Sequence, residues 1–581
     1  MKRLLPLILL ISLLSCKKTK EEIATEFSTP FENSKGTETA TYEEVLTFYL
    51  KLAKEFSEIN VQTIGETDSG YPLHLVTYNP DGEFNFKKLN ANKTTLLINN
   101  GIHPGESDGI DATMLLFRDL VNKKITPPKN TIITTIPIYN IGGALNRNTS
   151  TRANQNGPKA YGFRGNALNY DLNRDFIKSD SKNTKTFAQI FHLVQPDIFI
   201  DNHVSNGADY QYTLTHLFTQ HNKLGGALGN YLHTQFMPKL EHQLKDKNWD
   251  ITPYVNVFNT PPEEGFSQFM DHPRYSTGYT TLWNTLGMML ETHMLKPYQK
   301  RVEGTYILLT TALEIAEKNG AEIKKAKTKT ATYFSNLNYY PYNWQLDSLK
   351  TSTLNFKGFT ADTITSDVTG YTRLKYRRDQ PFTKKTAYQN YFKPSDSIKI
   401  PDAYIIKKEW TKIIDVLRTN KITFSTIEKD TSRLVEKYTI EDYRTFKQPY
   451  EGHYPHYNTK VNSIEKEVVF TKGDVFVPTA QKGIRYLLET LEPSCVDSFF
   501  NWNYFDTILQ QKEDFSPYIF EDTAAEMLQK NSALQEEFTT KKEKDTSFSK
   551  DWYAQLHWLY SKSVYYETAH LSYPIYRVPK K

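Results

Sequence analysis

Cysteine is almost missing from this chain: Cys16 and Cys495 are the only two among 581 residues. Cys16 sits in an N-terminal apolar segment, so no internal disulfide framework can form, and Cys495 reads as a small buried residue. An excess of one charge is missing too. The formal net charge is +5, from 71 basic and 66 acidic side chains, which gives no case for nucleic acid as a partner. No internal repeat is visible. The longest apolar run, residues 4–14, is too short to span a membrane as a helix. What is present, 38% hydrophobic and 24% charged residues, is the composition of a soluble globular protein. The length calls for two or more domains. Aromatic residues reach 13%, mostly Tyr and Phe, which suits β-rich packing.

The first sixteen residues read as an export signal: Lys2 and Arg3 at the start, the apolar run, then Ser15-Cys16. A small residue and Cys followed by Lys17, Lys18 and Lys20 resembles the lipobox of bacterial lipoproteins. That resemblance implies acylation of Cys16 and a chain exported and lipid-anchored to the cell envelope. Leu14 is less usual before Ser15 than a small residue, so ordinary secretion and an uncleaved anchor are the alternatives.

Residues 17–40 are polar and read as a flexible tether. A catalytic domain is expected over 41–323. It opens with a helix at 41–58, where Val45, Leu46, Phe48, Tyr49, Leu52 and Phe56 recur at helical spacing. Two strands around Asp68-Ser69-Gly70 follow, then strands at 94–100, 131–139 and 197–200, with helices at 109–122, 222–245 and 298–318. Strands alternating with helices argue for an α/β fold on a mixed twisted sheet flanked by helices. The lysine-rich run 324–329 marks the expected boundary. Residues 331–581 read as an α+β accessory region of one or two subdomains.

Four short segments carry chemistry. His103-Pro-Gly-Glu106 places an imidazole and a carboxylate three residues apart after an apolar strand. Alone this is weak, since about one His-x-x-Glu is expected by chance at ordinary composition. His203 closes the apolar strand 197–203, and strand ends of α/β sheets are where ligands bind. Two imidazoles, one carboxylate and an open position make a catalytic rather than a structural zinc set. Asp171-Leu-Asn-Arg174 supplies Asn173 and Arg174, suited to a planar carboxylate, or else an arginine held by Asp171 or Asp175. Arg164 is a second cation. Glu291 ends the apolar stretch 283–290, where a carboxylate is costly unless paired or functional. His293 would share the strand face of Glu291 and could support the site from behind, but reads rather as a neutral hydrogen-bonding histidine. His216, His221, His233 and His242, on or beside helices, and His453 and His456, in a Tyr/Pro-rich loop, lack ligand spacing.

This ordered set resembles the zinc metallocarboxypeptidase family, the carboxypeptidase A-like enzymes, over about half the chain. The resemblance implies that His103, Glu106 and His203 bind one Zn²⁺ and that Asn173 and Arg174 hold the terminal carboxylate of a peptide substrate. It implies that Arg164 polarises the scissile carbonyl, with Arg152 and Arg147 as weaker candidates, and that Glu291 is the general base. Asn140-Ile-Gly-Gly stands where the family has Asn-Pro-Asp-Gly. For the family's substrate-contacting tyrosine, Tyr279 is taken and Tyr275 is the alternative. Aspartoacylase and succinylglutamate desuccinylase share the scaffold and make an N-acyl amino acid deacylase the rival reading. A catalytically inactive, lipid-anchored binding protein is the non-enzymatic rival.

Overall fold

The computed structural model describes residues 19–580, so the segment read as an export signal, with Cys16, lies outside the described residues. The chain forms two compact units. One comprises the residues up to Leu337 together with Pro341–Ser397, and the other Asn338–Tyr340 together with the residues from Ile398 onward.

The first unit is built on an eight-stranded mixed sheet. Its strands are β1 (Ile59–Glu66), β2 (Pro72–Tyr78), β3 (Thr94–Asn99), β4 (Thr131–Ile136), β5 (Ile198–Ser205), β6 (Leu214–Phe218), β7 (Ile251–Pro253) and, after a two-residue strand β8 (Phe266–Ser267) that pairs elsewhere, β9 (Leu286–His293). The order is β1-β2-β4-β3-β5-β9-β6-β7. At its centre β4, β3, β5 and β9 run parallel. β3, β4 and β5 are buried at every position, and their Ile, Leu and Thr content is that of strands covered on both faces. Helices Asp108–Val121 and Tyr298–Ser335 pack together and against β3 and β5, while Lys182–Val194 packs on β1 and β2. β5 runs on past residue 200, where a strand end was expected, and so carries His203 inside the sheet.

Three expectations about organisation need correcting. Part of the segment read as a tether is folded: Lys20–Glu26 and Pro30–Asn33 are helices with capping boxes at Thr19 and Thr29. Phe27 and Phe31 from that segment are buried, and two aromatic anchors suffice to dock an otherwise polar stretch. The lysine run 324–329 is no boundary, because the helix continues to Ser335 and Lys324 and Lys327 pair with Asp197. The accessory region does not begin at 331. A long hairpin, Ser352–Thr365 with Thr372–Gln389, belongs to the first unit, where it pairs with β8.

The second unit carries a six-stranded sheet, including Ala403–Ile406, Thr431–Thr445, His456–Phe470 and Ser572–Val578. The helices Pro517–Lys530, Ser532–Lys544 and Trp552–Ser561 bury Phe520, Leu534, Leu556 and Tyr560 in a small core. It is one unit rather than two.

Candidate active site

β5 and β9 lie in parallel register with His203 opposite Glu291 and Asp201 opposite Met289. Cross-strand partners share a face, so the register delivers an imidazole and a carboxylate side by side. His103 and Glu106 arrive in the turn after β3, the strand on the other side of β5. Ligand atoms of His103, Glu106 and His203 lie within 4.8 Å of one another, and all three residues are buried.

Each imidazole is oriented by a carboxylate on Nε2. His103 Nε2 lies 2.9 Å from Asp171 Oδ1, and His203 Nε2 lies 3.0 Å from Asp201 Oδ2. Both Nδ1 atoms therefore face the shared space. His203 Nδ1 is 3.1 Å from Glu106 Oε2, and His103 Nδ1 is 3.3 Å from Glu106 Oε1. His103 Nδ1 is also a buried atom without a hydrogen-bond partner, a cost expected to be met by a ligand. Two Nδ1 donors, a carboxylate and carboxylate-backed rings form a donor set that fits Zn²⁺.

Asp201 is itself fully engaged. It accepts hydrogen bonds from Ser276 Oγ at 2.5 Å and Asn99 Nδ2 at 3.2 Å. Burial raises the Glu106 carboxyl, but His103 and Arg152 outweigh it and hold the group well below the usual carboxylate range. Asp171 behaves alike: burial opposes ionisation, while His103, Arg164 and Arg174 favour it and prevail.

Glu291 is different. Burial pushes its pKa up to about 7, Glu106 and Asp201 add to the rise, and His203 and Arg164 restrain it. A carboxylate poised near neutrality in a cleft suits proton transfer. Glu291 lines a cavity of 590 Å³ together with the three ligand candidates, Arg152, Arg164, Asn173 and Arg174.

The arginines divide by partner. Arg164 grips Asp171 through Nε at 3.0 Å and Nη2 at 2.9 Å, and its Nη1 reaches to 3.5 Å from Glu106. Arg174 lies against the Tyr275 ring, 4.7 Å from its centroid, with its Nη1 donating to the Asn173 carbonyl. The salt bridge weighed for Arg174 thus goes mainly to Arg164, since Arg174 Nη1 stays 3.8 Å from Asp171. Asn173 accepts from the Ser276 N–H at 3.0 Å through Oδ1, which leaves donation to a ligand to its amide nitrogen. A buried Lys178, paired with Asp175 at 2.8 Å and Asp180 at 2.7 Å, pins the turn that carries both residues.

Arg152 contacts Glu106 Oε1 at 3.0 Å, whereas Arg147 is spent on the carbonyls of Thr39, Ala40 and Ala160 outside the cavity. Asn140 Nδ2 donates to the Ile102 and Arg164 carbonyls, tying the His103 turn to the Arg164 loop. Gly143, in the short helix Ile141–Leu145 that Asn140 caps, has no room for a side chain, since a Cβ there would meet the Phe163 carbonyl at 2.4 Å.

Tyr279, taken as the substrate-contacting tyrosine, does not line the cavity. It lies 1% exposed among Phe176, Phe187 and Phe191, within hydrogen-bond reach of His192. Every residue of its helix, Ser276–Thr281, is buried, and only Tyr275 before it reaches the cavity. Tyr254 also lines the cavity and was missed. Its signal was the alternation Tyr254-Val-Asn-Val-Phe258 after β7. His293 is a neutral buried histidine, donating from Nε2 to the Ala208 carbonyl at 3.1 Å, with burial and then Lys296 lowering its pKa to about 4. His216 lies in β6 beside the helix Met237–Asp246, 2.7 Å from Glu241, and His456 is buried against Asp506 rather than in a surface loop.

Residues 45–198 match the family model described as zinc carboxypeptidase. No curated protein matches the chain. Among solved structures the chain is similar to a metallo-carboxypeptidase from Burkholderia cenocepacia, with 16% identity, 48% of this chain and 69% of that chain covered, and a TM-score of 0.35. It is also similar to carboxypeptidase A from Helicoverpa armigera, with 14% identity, 48% and 74% covered, and a TM-score of 0.36.

Proposed function

Given that the domain carrying this site belongs to the zinc carboxypeptidase family, we propose that the chain hydrolyses the C-terminal amide bond of peptides. The observation that carries the reading is the register of His203 with Glu291, beside His103 and Glu106. His103, Glu106 and His203 would hold the metal. The chemistry Zn²⁺ supplies in such a set is Lewis acidity toward a carbonyl oxygen and a lowered pKa for water.

The chain's own residues do the rest. Glu291 takes a proton from the attacking water and returns it to the leaving amine, a role that suits a carboxyl whose pKa burial raises. Arg164 offers its guanidinium to the carbonyl oxygen as charge develops there. Arg174 and the Asn173 amide receive the terminal carboxylate, which makes cleavage exo- rather than endoproteolytic.

The C-terminal side chain meets an apolar wall. Met289 is two residues before Glu291 on the same strand face, Leu217 is its cross-strand partner, and Phe269 packs on Tyr275, 5.1 Å between centroids. All three line the cavity, and its only carboxylates among the described residues are Glu106 and Glu291. A lysine or arginine at the C-terminus finds no counter-charge on that wall, so apolar residues are favoured. Export and anchoring through an acylated Cys16 remain part of the proposal on sequence grounds alone.

The test is release of the last residue from blocked dipeptides with a free or amidated C-terminus, with N-acetylaspartate alongside. Cleavage of the free form much faster than of the amidated form is expected. Turnover confined to N-acetylaspartate would transfer the site to deacylation, and no turnover by zinc-loaded protein would favour a binding role.

A further inference from the structure

The long hairpin of the first unit reaches the substrate cavity through a short strap, residues 254–258. Two successive three-residue turns shape the strap: Asn256 N–H donates to the Tyr254 carbonyl at 3.1 Å, and Val257 N–H to Val255 at 2.8 Å. Side chains therefore alternate. Tyr254, Asn256 and Phe258 line the cavity, while Val255 and Val257 are buried against Tyr210, Tyr212, Phe266, Phe356 and Tyr388. Phe356 and Tyr388 come from the hairpin.

Several hydrogen bonds fix that packing. Gln211 Nε2 donates to the Gly358 and Phe382 carbonyls, each at 2.8 Å, and Lys357 N–H donates to Tyr212 Oη at 3.1 Å. Arg378 pairs with the buried Asp209 at 2.6 Å. At the cavity mouth Phe258 is 55% exposed. Its ring lies over Gly207, whose φ of +113° and lack of Cβ permit the approach: a Cβ would meet Phe258 Cε1 at 3.2 Å. Gly207 follows Val204, Ser205 and Asn206, which line the cavity just beyond the ligand candidate His203.

We infer that the strap is a substrate-recognition surface on which an apolar or aromatic side chain upstream of the scissile bond stacks on Phe258, and that the hairpin positions it. An exposed aromatic ring beside a polar catalytic cleft is an unsatisfied contact that a peptide, unlike a small N-acyl amino acid, is long enough to fill. Phe258 and Asn256 contact substrate, whereas Phe356 and Tyr388 are positioning residues that act through Val255 and Val257. The inference rests on the peptidase reading and adds to it a preference for length and for an apolar upstream residue.

The experiment compares steady-state kinetics on a blocked tetrapeptide with an upstream Phe and on an N-acetyl amino acid sharing its C-terminal residue. Phe258→Ala is expected to raise KM for the tetrapeptide on the order of tenfold with kcat little changed, and to leave the short substrate unaffected. Phe356→Leu should move KM in the same direction by less. Val368→Ser, at a hairpin-tip residue 94% exposed, should change neither substrate. Unchanged tetrapeptide KM in Phe258→Ala, or equal loss on both substrates, overturns the inference while leaving the peptidase reading intact. Wild-type protein that cleaves neither substrate overturns both.

Discussion

Both units bury carboxylates beside arginines, yet only one of these clusters is built to react. In the second unit Glu492 is 3.0 Å from Arg577 and accepts from Tyr404 Oη at 2.5 Å. Burial raises its pKa although Arg577 opposes the shift. Arg577 also reaches Glu436 and the Lys399 carbonyl, so its charge is matched within the cluster. In the first unit Glu106, Asp171, Arg152 and Arg164 are paired as tightly, but the cluster borders a cavity that His103, His203 and Glu291 also line, and burial raises the Glu291 pKa to about 7. Burying ionisable groups is common to both clusters. What separates the reactive cluster from the structural one is a cavity bordered by converging metal-ligand atoms.

The sharpest way to break the comparison is to neutralise one carboxylate in each cluster. Glu291→Gln should lower kcat by about 100- to 10,000-fold with the fold intact. Glu492→Gln should leave kcat per folded molecule unchanged but destabilise the second unit by about 3–5 kcal/mol, read by denaturant unfolding. The opposite pattern would reverse the assignment.

Arg174→Ala removes charge-assisted hydrogen bonds worth about 1.5–3 kcal/mol. It should therefore lower kcat/KM about ten- to a hundredfold for peptides with a free C-terminus. Slow cleavage of amidated peptides should not fall further, and equal losses on both would contradict the clamp. Asp201→Asn should weaken metal affinity about ten- to a hundredfold, measured by competition with a chromophoric chelator, because His203 loses the partner on its Nε2. Affinity equal to wild type would show that β5 alone orients the ring.

The smallest effect is on pH dependence. Glu291 works as a base when ionised, so activity should fall as pH drops through its pKa, which burial raises to about 7. A bound cation favours the carboxylate and moves the midpoint lower. An acid limb that persists unchanged in Glu291→Gln would assign it to another group.

The legibility of this chain followed the range of the interactions involved. His103 and Glu106 could be read because they follow an apolar strand, and His203 because it lies near the end of another; strand ends converge in α/β sheets. The pairing of Asp201 with His203 sat in the sequence as Asp-Asn-His, two residues apart on one strand face, and went unused. Tyr279 was misplaced because spacing from Glu291 says nothing about which residue of a wholly buried helix faces the cavity. The hairpin was assigned to the accessory region because its partners, Tyr210, Val255 and Phe266, are about a hundred residues away in the chain. The tether was misread because two phenylalanines in a polar segment leave no periodic signal, yet both are buried.

The central claim is that side chains from two distant segments, His103 with Glu106 and His203, hold one divalent ion beside Glu291. Zinc content of purified, zinc-supplemented and dialysed protein tests it most directly. One zinc per chain is predicted for wild type and for Glu291→Gln, and none for His203→Ala. Zinc retained in full by His203→Ala, or missing from wild type, would contradict the account.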